Sequence, residues 1–185
     1  MMQALCLAIA LLIGSANTLA ADNPRVLIKT THGDIIFELY PEKAPLTVDN
    51  FLRYVNDGFY NGTLFHRVVP GFVAQGGGLT FDYVRKPTRD PIINESDNGL
   101  KNRRGSVAMA RTANPDSATA QFFINLIDNP HLNDEADEEA DGYAVFARVV
   151  DGMKVADTMA DEVRNSEEGV KPFMQIISAK LITQD

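Results

Sequence analysis

At 185 residues and 45% hydrophobic content the chain suffices for one domain with a core of its own and falls short of two. A formal net charge of −8 and a pI near 4.8, with the lysines and arginines scattered, argue against nucleic acid or an anionic membrane surface as principal partner, because either needs a concentrated basic face. The acidity itself reads as solubility.

The first stretch carries no charged side chain, holds an apolar run from Ala4 to Ile13 and ends in small residues around Thr18, Ala20 and Ala21. That is the pattern of a secretory signal peptide over residues 1–20, which leaves residues 21–185 as the exported domain. The run is shorter than the ~20 apolar residues of a membrane span and no later stretch approaches that length, so no membrane anchor is expected. Cys6, the single cysteine, falls inside this leader, and the mature domain is expected to have no thiol for a disulfide, thiolate catalysis or metal binding.

Val26 to Thr30 and Asp34 to Tyr40 are rich in β-formers and flank Thr31-His32-Gly33, which reads as a hairpin. Pro45 opens a helical pattern with Leu46, Val48, Phe51, Leu52 and Val55 apolar, stopped by Asn56, Asp57 and Gly58. Leu64 to Val69 and Phe72 to Gln75 are short strands broken at Pro70-Gly71, and Gly76 to Gly78 reads as a bulge or tight bend. Leu79 to Arg104 mixes Pro, Asn, Asp and Gly and reads as a long surface loop of the kind a compact domain keeps for a purpose. Ser106 to Ala110, Phe122 to Leu126, Ala144 to Val150 and Gln175 to Thr183 are further strands, and Met153 to Met159 a second short helix. Short strands at close spacing with two helices point to a closed antiparallel barrel or a sandwich.

His32, His66 and His131 share no metal-ligand spacing, so no metal site is expected. Gly105-Ser106-Val107 lacks the flanks of a nucleophile elbow, the glycine run lacks the ending of a phosphate loop, and the six carboxylates of Asp134 to Asp141 lack the order of a calcium loop. Composition and spacing alone therefore end at a secreted all-β domain with two helices, ligand binding left open.

The run Phe65-His66-Arg67-Val68-Val69-Pro70-Gly71-Phe72-Val73-Ala74-Gln75-Gly76-Gly77 goes further, because it closely resembles the signature of cyclophilins. Gly58-Phe59-Tyr60, Asn98-Gly99-Leu100, Met109-Ala110-Arg111-Thr112, Asp116-Ser117-Ala118-Thr119, Gln121-Phe122-Phe123-Ile124-Asn125 and Gly142-Tyr143-Ala144-Val145-Phe146 agree in order, so the resemblance spans Pro24 to Ile182. It is nearest to the periplasmic bacterial branch, which fits the leader and makes the periplasm the expected location.

The resemblance implies a mainly β fold, a closed eight-stranded antiparallel barrel capped by two α-helices. It also implies a peptidyl-prolyl cis-trans isomerase that needs no cofactor and acts on proline-containing segments of exported proteins as they fold, expected to be a monomer. The family's catalytic arginine falls on Arg67 and its glutamine partner on Gln75. The proline-ring pocket falls on Phe72, Val73, Phe123 and Leu132, with Val73 in place of the more usual methionine. Further substrate contacts fall on Gln121 and on the backbone of Ala110 and Arg111, although one residue is inserted between Met109 and Gln121 relative to the eukaryotic form. His131 stands where that form has tryptophan and Tyr143 where it has histidine, so weak binding of cyclosporin, the family's inhibitor, is expected. A related binding module with little turnover and an unrelated β-barrel carrier are the competing readings. Arg67, Phe72 and Gln75 occurring together favour the enzyme.

Overall fold

The computed structural model describes residues 22–134, 141–166 and 174–183; the leader over 1–20 and most of the acidic run lie outside them. Eight antiparallel strands form one sheet: β1 (Arg25–Thr30), β2 (Gly33–Leu39), β3 (Arg67–Val69), β4 (Val73–Gly76), β5 (Ser106–Met109), β6 (Phe122–Asn125), β7 (Val145–Asp151) and β8 (Ile176–Ile182), with α1 (Pro45–Asn56) between β2 and β3 and α2 (Met153–Asn165) between β7 and β8. Their order across the sheet is β3-β4-β6-β5-β7-β2-β1-β8.

This sheet is a curled half-barrel and not the closed barrel that the resemblance implies. Among the described residues no ladder joins β3 to β8, and the seam is crossed by a bridge between Leu64 and Gln175, supported by backbone bonds such as Phe65 N to Met174 O at 2.8 Å. The physical reason is register: Gly62 N donates to Ile176 O at 2.8 Å and Ile176 N to Thr63 O at 2.7 Å, so the residues that meet the start of β8 precede β3, and β3 lies past the end of β8. α2 packs against β2 and β3 on that side.

Inside the curl, alternation along the strands buries Val26, Ile28, Ile35, Phe37, Phe122, Ile124 and Phe146. α1 adds Val48, Phe51 and Val55 to this core, whereas Leu46, which the sequence pattern counts among its apolar residues, is 48% exposed. The helix is capped from far along the chain: both carboxylate oxygens of Glu95 accept from the backbone N–H groups of Leu46 and Thr47, at 3.0 and 2.8 Å. α2 runs to Asn165, six residues beyond the pattern that ends at Met159, and buries Ala156, Met159 and Ala160.

The segment between β4 and β5 forms no helix or named strand, but it is pinned at several points. Ile92 bridges to Ala118, Arg89 N donates to the Tyr54 hydroxyl at 2.8 Å, and Asn98 Nδ2 donates to Val145 O at 2.9 Å. The long loop is thereby a fixed wall of the domain.

Candidate active site

The outer face of the sheet carries the site. Cross-strand register places Arg67 of β3 opposite Gln75 of β4, Gln75 opposite Phe123 of β6, and Phe123 opposite Ala108 of β5. Side chains on opposed residues share one face of the sheet. Val73, Ala108, Phe123 and Val145 form a small buried apolar cluster there, with Phe72, Leu100, Ala110, Leu132 and Tyr143 packed around it.

Above this cluster lies an open pocket of about 250 Å³, lined by Arg67, Phe72, Val73, Gln75, Ala110, Arg111, Phe123, Leu132 and Tyr143. Every lining residue is one the sequence reading assigns to catalysis or substrate contact. The pocket has an apolar floor and a cationic rim: the Arg67 guanidinium carbon sits 5.7 Å from the centre of the Phe72 ring, on an exposed side chain. Phe72 and Leu132 are half-exposed, as walls of a pocket must be, but Phe123 is only 5% exposed and contributes little more than a ring edge.

Gln121 and His131 are near the pocket without lining it. Gln121 Oε1 accepts from Gln75 Nε2 at 2.9 Å, so Gln121 orients the glutamine that stands beside Arg67. The backbone at the glycine run leaves room for this pair. A Cβ on Gly78 would come within 2.4 Å of Gln121 Cγ, and Gly77 has φ +81°, where other residues are strained. His131 is exposed and stacks on Phe72, rings 5.6 Å apart and 20° from parallel, so it backs the pocket wall from outside.

Arg111 makes its contacts to the far wall. Its guanidinium lies 4.5 Å from the centre of the Tyr143 ring and donates to the carbonyls of Gly142, Thr112 and Asp141. Ala110 N donates to Gln121 O at 2.9 Å, so this N–H is already used within the protein. Tyr143 also meets Phe123 edge-on at 5.6 Å. Sequence reasoning missed this brace between Arg111 and Tyr143, and also the buried asparagines Asn102, Asn125 and Asn129 behind the pocket. An asparagine inside the otherwise apolar run Phe122 to Leu126 was the available signal, since an amide is buried there only with partners. Among the described residues no group of three or more His, Cys, Asp or Glu side chains is gathered that could hold a metal ion.

The family profile of cyclophilin type peptidyl-prolyl cis-trans isomerase/CLD matches residues 25–181, and the chain belongs to that family. Peptidyl-prolyl cis-trans isomerase A of Dickeya dadantii is 48% identical over 165 residues, covering 89% of this chain and 84% of that protein. Peptidyl-prolyl cis-trans isomerase B of Escherichia coli K12 is 56% identical over 133 residues, covering 71% and 81%. A cyclophilin-type isomerase of Cryptosporidium parvum, solved in the presence of the dipeptide Ala-Pro, superposes with a TM-score of 0.71 at 28% identity, covering 86% of this chain and 99% of that one. The chain is thus an enzyme, a peptidyl-prolyl cis-trans isomerase.

Proposed function

We propose that this isomerase acts on X-Pro bonds of exported proteins as they fold, and that Arg67 lowers the barrier by binding the twisted amide. The observation that carries the mechanism is the placing of the Arg67 guanidinium beside an apolar pocket floored by Val73 and Phe123 and walled by Phe72 and Leu132. The uncatalysed barrier of ~18–20 kcal/mol arises from amide resonance, and no covalent bond forms or breaks when the peptide turns. At the top of the barrier the prolyl nitrogen regains its lone pair. A guanidinium donor then gains an interaction that the planar ground state lacks.

In this reading the apolar walls hold the proline ring while the acyl side rotates. Gln75, steadied by Gln121, keeps Arg67 and the substrate carbonyl in place. Arginine suits the role because it stays protonated and presents a rigid fork of donors. That a Cryptosporidium relative was solved in the presence of the dipeptide Ala-Pro supports a proline-containing ligand. The uncharged leader supports export to the periplasm with cleavage near Ala21; the intact mass of periplasmic protein tests this, and a soluble chain retaining Met1 would refute it.

The test of the mechanism is a protease-coupled proline-peptide assay on the mature domain. Arg67→Ala is expected to lower kcat/KM by about 10²–10³, the loss seen when one preorganised donor is removed. Turnover within a few-fold of wild type, with circular dichroism and melting unchanged, would refute it.

A further inference from the structure

We propose that Asn102, Asn125 and Asn129 form a positioning relay that fixes the walls of the pocket, so that substrate affinity depends on them more than the rotation step does. The proposal deepens the functional reading above and rests on it. All three side chains are at most 1% exposed. A buried amide is costly unless its donors and acceptor are satisfied, so what these groups bond to reports what they hold.

Their bonds run in one chain behind the pocket. Asn129 Nδ2 donates to Asn125 Oδ1 at 2.7 Å and to Phe72 O at 3.2 Å. Asn125 Nδ2 donates to Asn102 Oδ1 at 3.1 Å and to Ser106 Oγ at 2.9 Å. Asn102 Nδ2 donates to Leu132 O at 2.9 Å and to Tyr143 O at 3.3 Å. The backbone reinforces the relay: Asn129 N donates to Asn102 O at 2.8 Å, and Asn102 N donates to Asn133 Oδ1 at 2.7 Å.

A merely satisfied core would direct such bonds to whichever carbonyls lie nearest. Here the carbonyls reached at the ends of the relay belong to Phe72, Leu132 and Tyr143, each a wall of the pocket. These walls come from three separate stretches of the chain. Phe72 has a second tie, through Leu126 N at 2.9 Å, and Leu132 and Tyr143 are joined to each other by Tyr143 N to Leu132 O at 2.9 Å. The bonds described link the first wall to that pair through the three asparagines. Both hydrogens of every relay amide are used, which leaves the relay no slack. Loosening it lets the walls move apart and adds an ordering cost to each binding event.

The experiment uses the full domain with Asn129→Ala, Asn133→Ala and, as a control of matched burial, Thr63→Val, which removes a buried hydroxyl bonded to Tyr60 O at 2.7 Å away from the pocket. NMR exchange spectroscopy on a short Ala-Pro peptide gives the dissociation constant and the cis-trans exchange rate of bound peptide separately. For Asn129→Ala the dissociation constant should rise about tenfold while the bound exchange rate stays within about twofold. Asn133→Ala should shift affinity in the same direction by less, and the Leu132 methyl signals should broaden in both variants. Thr63→Val should lower the melting temperature and leave affinity unchanged.

Wild-type affinity in Asn129→Ala, or equal weakening by Thr63→Val, would overturn the relay. If Asn129→Ala does not fold, Asn133→Ala decides by the same two readouts. Failure of the Arg67 mechanism would appear in the bound exchange rate of Arg67→Ala and not in these affinities, so the two ideas fail separately.

Discussion

Two adjacent residues of β6 face two different environments. Phe122 points into the curl, is 0% exposed, and meets Phe37, Phe51, Tyr60 and Phe65 near-perpendicularly with ring centres 5.5 to 6.0 Å apart. Phe123 points outward, meets the Tyr143 ring, and floors an open pocket. The inner face is held chiefly by packing, its rings meeting in the edge-to-face geometry that aromatic quadrupoles favour and its aliphatic side chains filling around them. The outer face is held by polar ties behind its rings: the Gln75–Gln121 bond, the Arg111 brace on Tyr143, and the asparagines. Walls of an open pocket face solvent on one side and lack packing contacts there, so polar ties supply the rigidity that packing gives the interior.

The largest effect should come from breaking the inner face. Phe122→Ala leaves a cavity at the centre of the ring cluster and should cost about 3–5 kcal/mol of stability. Denaturant unfolding measures it, and a loss under about 1 kcal/mol would show that the cluster is not the keystone of the core. The outer face should answer in the opposite currency. Arg67 is exposed and its ring contact is with the half-exposed Phe72, so the about 10²–10³ loss in kcat/KM on Arg67→Ala should come with an unchanged melting temperature. A variant set in which stability and activity fall together on both faces would erase the distinction.

The strands of the inner face were legible from sequence because runs of β-formers bounded by turn residues are local signals. Which of their side chains, such as Phe37, Phe122 and Phe146, make the core came from the structure. The pocket was legible for another reason: the resemblance carried nine lining residues, from separate stretches of the chain, onto one cavity. What escaped was set by contacts distant in sequence. Glu95 caps a helix 49 residues away, and Arg111 braces a ring that has no pattern in common with it. The open seam escaped because the sequence reading ran this strand from Leu64 to Val69, whereas β3 begins only at Arg67 and the residues before it touch β8 only at its start. The added turns of α2 escaped because Asp161, Glu162 and Arg164 carry few apolar positions to mark a face.

The smallest expected effect concerns His131, where the structure changes the argument from sequence. The sequence comparison puts His131 at a wall position. The structure places it one layer out, stacked on the back of Phe72 and exposed to solvent. A short peptide whose proline sits among Phe72, Phe123 and Leu132 has no need of that layer. A large apolar macrocycle overhanging the pocket rim does, because it buries area beyond the pocket itself. His131→Trp should therefore leave peptide turnover within about twofold of wild type. It should strengthen cyclosporin inhibition by roughly tenfold, the factor that accompanies ~1.4 kcal/mol of added apolar contact. Titrating cyclosporin against wild type and His131→Trp checks both. Equal inhibition constants would show that the surface behind Phe72 does not face the bound macrocycle. A loss of turnover would show that the Phe72 stack sets the shape of the inner pocket and not only its rim.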